Sequence, residues 1–182
     1  MEKGVTEKVV ILDDIFTVNQ LHFFKCQLLN SYKGEATDKP FVSGYKNAIN
    51  SGWFDFDDPH DNSIVCEKLL NIAERYYPEI KDIRGYDFWA HYNTRPQEWH
   101  FDKDETAYLK YGVERFPVCT IIYYLEVDLQ EGGNLIIEPG IKIKPRTNRM
   151  ILMASGVYHF VEEYTGERIG VNINPWCTKM YN

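Results

Sequence analysis

Arg168-Ile169-Gly170-Val171-Asn172-Ile173-Asn174 alternates, residue by residue, between polar or small side chains and β-branched ones. Neighbouring side chains on a strand point to opposite faces. Ile169, Val171 and Ile173 therefore share one side, and Arg168, Gly170, Asn172, Asn174 and Trp176 share the other. A solvent-facing polar side would account for the pattern. If the apolar side packs beneath helices, however, the polar side faces an interior in which every group needs a partner. An interior arginine calls for an anion, and a dicarboxylate co-substrate would meet that need.

The same texture of short apolar and aromatic runs separated by turn residues extends upstream to Gly85. It predicts strands over 87–93, 98–102, 118–127, 134–138, 141–144, 149–153, 158–162 and 168–174, with Gly132-Gly133 as one turn and Thr165-Gly166 as another. Before Gly85 the pattern differs. Residues 9–12 read as a strand and 17–29 as a helix, with Thr17 and Gln20 spaced as a capping box and Val18, Leu21, Phe24 and Leu28 on one face. Residues 31–62 read as mostly loop, and 63–76 as a second helix ended by Pro78. Two helices followed by about eight strands predict a mainly β fold with flanking helices, a jelly roll with the N-terminal helices packed on one sheet. The expected organisation is one domain over 1–182, with helical and loop support in 1–85 and the β core over about 86–177.

Composition narrows the classes. With 182 residues, 44% hydrophobic and 15% aromatic, the chain can bury a sizeable core and is not of disordered type. A net charge of −7 supplies no general attraction to phosphate backbones or anionic membranes, so nucleic acid is a disfavoured partner and no membrane is expected. Cys26, Cys66, Cys119 and Cys177 form no CxxC pair, which argues against a zinc cage and fits reduced thiols in a cytoplasmic protein. No apolar run approaches the roughly 20 residues that span a bilayer. None of this bears on oligomeric state.

The chemistry sits in Trp99-His100-Phe101-Asp102 and in His159. Strand alternation puts His100 and Asp102 on one side, able to converge on an ion, with Trp99 and Phe101 on the other. Two histidines and one carboxylate are the set that grips one face of a non-haem Fe(II) and leaves the remaining positions open. The His-x-Asp triplet alone is a weak signal in a chain with five histidines and 27 acidic residues. Arg168, nine positions after His159, could clamp the carboxylate of a metal-bound co-substrate. Of Tyr123 and Tyr124, one must face the interior, where its hydroxyl requires a partner. Residues 103–116, with Lys103, Lys110 and Arg115, read as a loop that either covers the site or is simply solvated. Residues 47–62, with Trp53, Phe54 and Phe56, form a second candidate lid. Asp55, Asp57, Asp58 and Asp61 lack the glycine and terminal glutamate of a calcium loop, which favours capping and solvation. His22, His60 and His91 read as packed or surface histidines.

In order, Tyr92, the His-x-Asp, the Ile-Tyr-Tyr-Leu strand, the Gly-Gly-Asn-Leu turn, His159 and Arg168 resemble the Fe(II)- and 2-oxoglutarate-dependent dioxygenases, especially the prolyl 4-hydroxylase-like branch. The resemblance covers about 89–176; the N-terminal third carries no matching substrate signature. It implies a double-stranded β-helix in which His100, Asp102 and His159 are the catalytic iron ligands. Arg168 would pair with the distal carboxylate of 2-oxoglutarate with help from Tyr124, while Tyr92, Asn172 and Trp176 would lie around the pocket. Fe(II), 2-oxoglutarate, O2 and ascorbate are the implied cofactors. Oxidation of the oxo acid to succinate and carbon dioxide would be coupled to hydroxylation of an unactivated carbon, with a prolyl residue of a peptide or protein as the leading substrate. A free amino acid or other small molecule, a non-catalytic metal- or ligand-binding module of the same fold, and a cupin-type metal enzyme using no oxo acid remain as alternatives.

Overall fold

The computed structural model describes residues 2–6, 8–32, 48–56, 63–92 and 97–180, with the backbone alone at 2–6, 29–32, 48–51 and 91–92. The elements in chain order are β1 (Glu2–Thr6), β2 (Val9–Asp13), α1 (Val18–Tyr32), β3 (Ala48–Asp55), α2 (Ser63–Ala73) and a 3-10 turn (Pro78–Asp82). They continue with β4 (Gly85–Tyr92), β5 (Gln97–His100), α3 (Glu105–Tyr111), β6 (Cys119–Gly132), β7 (Leu135–Ile137) and β8 (Ile141–Ile143), then β9 (Arg149–Ala154), β10 (His159–Val161) and β11 (Tyr164–Trp176).

Two antiparallel sheets face each other, a major one ordered β1-β2-β9-β6-β11-β4-β3 and a minor one ordered β5-β10-β7-β8. The period-two pattern sorts side chains between two cores. Ile121, Tyr123 and Leu125 of β6 join Ile169, Val171 and Ile173 of β11 in a core shared with Phe24, Leu28, Leu69 and Leu70 of the helices. Ile122 and Tyr124 of β6 point the other way, into the sandwich with Leu135, Ile137, Ile143, Ile151 and Val161. The helices thus cover the outer face of the major sheet, and the polar side of β11 faces inward: Arg168, Asn172 and Asn174 are all buried. This is the jelly-roll arrangement expected from the sequence.

The start of α1 is the expected capping box. The Thr17 amide donates to the Gln20 side-chain oxygen at 2.9 Å, and the Gln20 amide to Thr17 Oγ1 at 3.4 Å. Val18 does not join the apolar face; at the first helical position it turns to solvent and is 80% exposed.

Four further expectations need correction. Residues 48–55 are not a lid but the edge strand β3, paired with β4 from Ala48 opposite His91 to Asp55 opposite Gly85; Asn47, Asp57, Asp58, His60 and Asp61 lie outside the described residues. Residues 103–116 contain α3, which Asp104 caps by accepting the Ala107 amide at 2.9 Å and which Gly112 ends with φ 66°. Thr165 and Gly166 lie within β11, and the reversal after β10 falls at Glu162-Glu163. Asp102 lies two residues past the end of β5. Its approach to His100 is set by the irregular segment 101–104 leading into α3 rather than by strand alternation.

Candidate metal centre

β10 lies between β5 and β7, and its register sets His159 directly opposite His100. Directly opposed residues project to the same face, so the two rings meet with centroids 4.3 Å apart. Each ring is oriented by its own strand. Nδ1 of His100 lies 2.7 Å from the Glu98 carbonyl and Nδ1 of His159 lies 2.9 Å from the Val157 carbonyl. A carbonyl only accepts, so each Nδ1 carries the proton and each Nε2 presents a lone pair. Asp102 stands between them, its carboxylate oxygens 3.8 Å from His100 Nε2 and 3.9 Å from His159 Nε2. One ligand atom from each of the three residues lies within 4.8 Å of the others.

This donor set fits a divalent ion. Adjacent ligands around a small octahedral ion stand about 3 Å apart, so closing on one requires each side chain to move by less than about 1 Å. The second Asp102 oxygen is already held, for Thr120 Oγ1 donates to it at 2.6 Å. Such bonds from outside the ligand set fix a ligating carboxylate. Burial, the larger effect, pushes the His159 imidazole below its ordinary range and His100 adds to the shift, while Asp102 opposes it. The neutral ring that coordination requires is therefore the favoured form.

The ligand strand is braced from outside the sheet. Trp99, 42% exposed, stacks on Tyr158 at 4.9 Å and 23° and lies 4.5 Å from the Phe160 ring. Phe101 packs against Tyr158 at 4.6 Å. Beyond Asp102, wholly buried Asp104 accepts from Arg115 at 3.0 Å, and Arg115 donates onward to the Lys179 carbonyl at 3.2 Å.

The major sheet supplies the other half of the interior. Arg168 is 6% exposed, with its guanidinium carbon 4.6 Å from the centre of the Tyr164 ring and 5.6 Å from that of Tyr124. Burial raises the Tyr124 phenol above its ordinary range, although Arg168 and Arg149 oppose the shift, so Tyr124 keeps its proton and remains a hydrogen-bond donor. Asn172 is paired with Ile122 on one side and Trp89 on the other, on the same inward face. Tyr92 ends β4 opposite Ile169; its side chain lies outside the described residues, as does that of His91. An open cleft of about 950 Å³ between the start of α1, the end of β6 and residues 144–148 contains none of these site residues.

Two interior residues escaped the sequence reading. Thr120 shares the inward face of β6 with Ile122 and Tyr124, which alternation alone could have revealed. Asp87 faces inward from β4 opposite Asn174. Burial pushes its carboxyl well above the usual carboxylate range, the charges of Asp102 and Asp104 add to this, and the Trp176 side chain and Asn174 backbone oppose it.

The family model of the 2OG-Fe(II) oxygenase superfamily matches residues 88–176. Among solved structures, the viral collagen prolyl hydroxylase of Paramecium bursaria Chlorella virus-1, in its 2OG complex, superposes with a TM-score of 0.62 at 16% identity, covering 97% of this chain and 100% of that one. A Trichoplax adhaerens prolyl hydroxylase in complex with a hypoxia inducible factor peptide gives 0.63 at 15% identity, covering 94% and 84%. A Pseudomonas putida prolyl-4-hydroxylase gives 0.61 at 11% identity, covering 94% of each chain. Comparison with curated protein sequences finds no match. Residues 88–176 carry the match to the 2OG-Fe(II) oxygenase superfamily, and the fold is a double-stranded β-helix of the prolyl-hydroxylase kind.

Proposed function

We propose that this protein is an Fe(II)- and 2-oxoglutarate-dependent hydroxylase, and that its substrate is a prolyl residue of a peptide or protein. The observation that carries the reading is the convergence of His100, Asp102 and His159 within 4.8 Å in an interior that also contains buried Arg168. The family implies Fe(II), 2-oxoglutarate and O2. The prolyl substrate takes its support from the peptide complex of the Trichoplax enzyme and from the collagen prolyl hydroxylase named above.

The residues divide the work. His100 and His159 offer Nε2 lone pairs fixed by their Nδ1 bonds, and Asp102 offers one oxygen while Thr120 holds the other. Three protein donors leave open positions on a six-coordinate ion for the oxo acid and for oxygen. When bound, Fe(II) supplies the oxygen activation and electron transfer that no protein side chain provides. Arg168 anchors the far carboxylate of the oxo acid by a charge-assisted bond, and Tyr124 adds a hydroxyl donor.

Anaerobic addition of Fe(II) and 2-oxoglutarate is expected to produce a weak visible charge-transfer band, and aerobic incubation with proline-containing peptides to release succinate above the substrate-free rate. His100→Ala is expected to abolish both. An iron-loaded protein that shows no band refutes the co-substrate assignment, and a band with no peptide-stimulated succinate refutes the prolyl substrate alone.

A further inference from the structure

Tyr164 is the first residue of β11, four positions before Arg168, and its ring lies closer to the Arg168 guanidinium than that of Tyr124 does, 4.6 Å against 5.6 Å. Its hydroxyl oxygen is buried without a hydrogen-bond partner. Burying a phenol without satisfying it is unfavourable, so a hydroxyl held in that condition beside a cation marks a place where a ligand atom completes the set.

The ring is held by its surroundings. Gly132, paired opposite Tyr164, and Gly133 have φ of +71° and +73°, a left-handed pair that folds the end of β6 against the start of β11. A side chain at Gly133 would meet Tyr164 Cβ at 3.3 Å and Leu129 Cδ1 at 2.6 Å, so the absence of one lets the turn close on the ring. The Gly133 amide donates to the Glu163 carbonyl at 3.1 Å, locking the residue immediately before Tyr164.

Resting on the co-substrate reading above, we propose that the Tyr164 hydroxyl donates to the distal carboxylate held by Arg168, a further neutral donor beside Tyr124 that strengthens the preference for a 2-oxo dicarboxylic acid over a 2-oxo monocarboxylic acid. The geometry favours a donor role. A guanidinium offers only N–H groups, so an anion beside it retains acceptor capacity, and a phenol packed against the same cation can add a neutral donor without adding charge. A hydrogen bond to a carboxylate is among the stronger kinds, and losing one weakens binding by about tenfold to a hundredfold. A monocarboxylic oxo acid places a methyl group there and gains nothing from the hydroxyl.

The test uses the full chain loaded with Mn(II), which binds the oxo acid without turnover, and reads dissociation constants by calorimetry. Wild-type protein is expected to bind 2-oxoglutarate more tightly than 2-oxopentanoate, its chain analogue lacking the distal carboxylate. Tyr164→Phe keeps the ring and removes only the hydroxyl. It is expected to weaken 2-oxoglutarate by about tenfold or more and leave 2-oxopentanoate within about twofold of wild type. Unchanged 2-oxoglutarate affinity in Tyr164→Phe overturns the inference and leaves the co-substrate reading standing. Equal weakening of both acids also overturns it, because that marks a packing role. A wild-type protein that does not distinguish the two acids overturns the co-substrate reading, and the inference with it.

Discussion

Asp87 shows what the interior costs a single residue. Its carboxyl stands well above the usual range because burial disfavours the charge, and Asp102 and Asp104 repel it. The unfolded chain has no such burden and ionises near the ordinary value of 3.8. As pH rises above that value, the unfolded state releases its proton while the folded state retains it, so the native state loses stability until the folded carboxyl also ionises. Asp87→Asn is therefore expected to melt higher than wild type at pH 8, by about 2–4 °C for each kcal/mol recovered, with the gap closing toward pH 4. Thermal melts of metal-free protein across that range decide it, and parallel wild-type and variant profiles would refute the assignment. The residue also marks a limit of sequence reading. Alternation with Tyr86 and Phe88 gives the face of Asp87, but its neighbours Asp102 and Asp104 lie across a chain reversal that no local pattern encodes. The Thr120–Asp102 hydrogen bond escaped for the same reason, whereas the triad emerged from residue type and order.

Among elements, β6 and β11 were the most legible: β6, covered by helices on one side and by a second sheet on the other, reads as a continuous apolar run, and residues 168–174 of β11 alternate between the helix-facing apolar side and the polar interior. β3 was not, since Asn50, Ser51 and Gly52 in its centre look like turn residues and only pairing with β4 makes them a strand. α3 was missed although Asp104 and Gly112 are ordinary caps. It has only seven residues, and Tyr108, Leu109 and Tyr111 point to solvent, leaving no buried stripe to recognise. Gly166 was read as a turn because glycine usually marks one. Within β11 it has φ +106° at a register shift opposite Leu129, and a side chain there would strike the Asp128 carbonyl. Gly166→Ala is expected to lose about 1–3 kcal/mol from backbone strain alone. Gly52→Ala, with nothing within 4 Å of the added carbon, is expected to be close to neutral. Denaturant midpoints compare the two, and similar losses at both positions would contradict this account of β11.

At the scale of the molecule, the candidate site is divided between the sheets. His100 and His159 belong to the minor sheet, while Tyr124 and Arg168 belong to the major one. A co-substrate held at one end by the ion and at the other by Arg168 would bridge the sandwich. Ion and oxo acid together are then expected to raise Tm more than the sum of their separate effects. At about a hundredfold over the dissociation constant the gain is about 2.7 kcal/mol, or roughly 5–11 °C for a chain of this size. Strictly additive shifts in differential scanning calorimetry would show that the two ends do not communicate. Among the described residues no helix is long and apolar enough to cross a membrane.

The stacking of Trp99 on Tyr158 and Phe160 gives the protein an optical property of its own. An indole bonded through the backbone to His100, and held in one orientation by two aromatic neighbours, emits from a fixed place beside the proposed ion. A paramagnetic or visibly absorbing centre at that distance drains its excited state, while a closed-shell ion such as zinc leaves it bright. In a variant whose other three tryptophans are replaced by phenylalanine, the emission of Trp99 would then report which ion occupies the triad, with no label added and no turnover required.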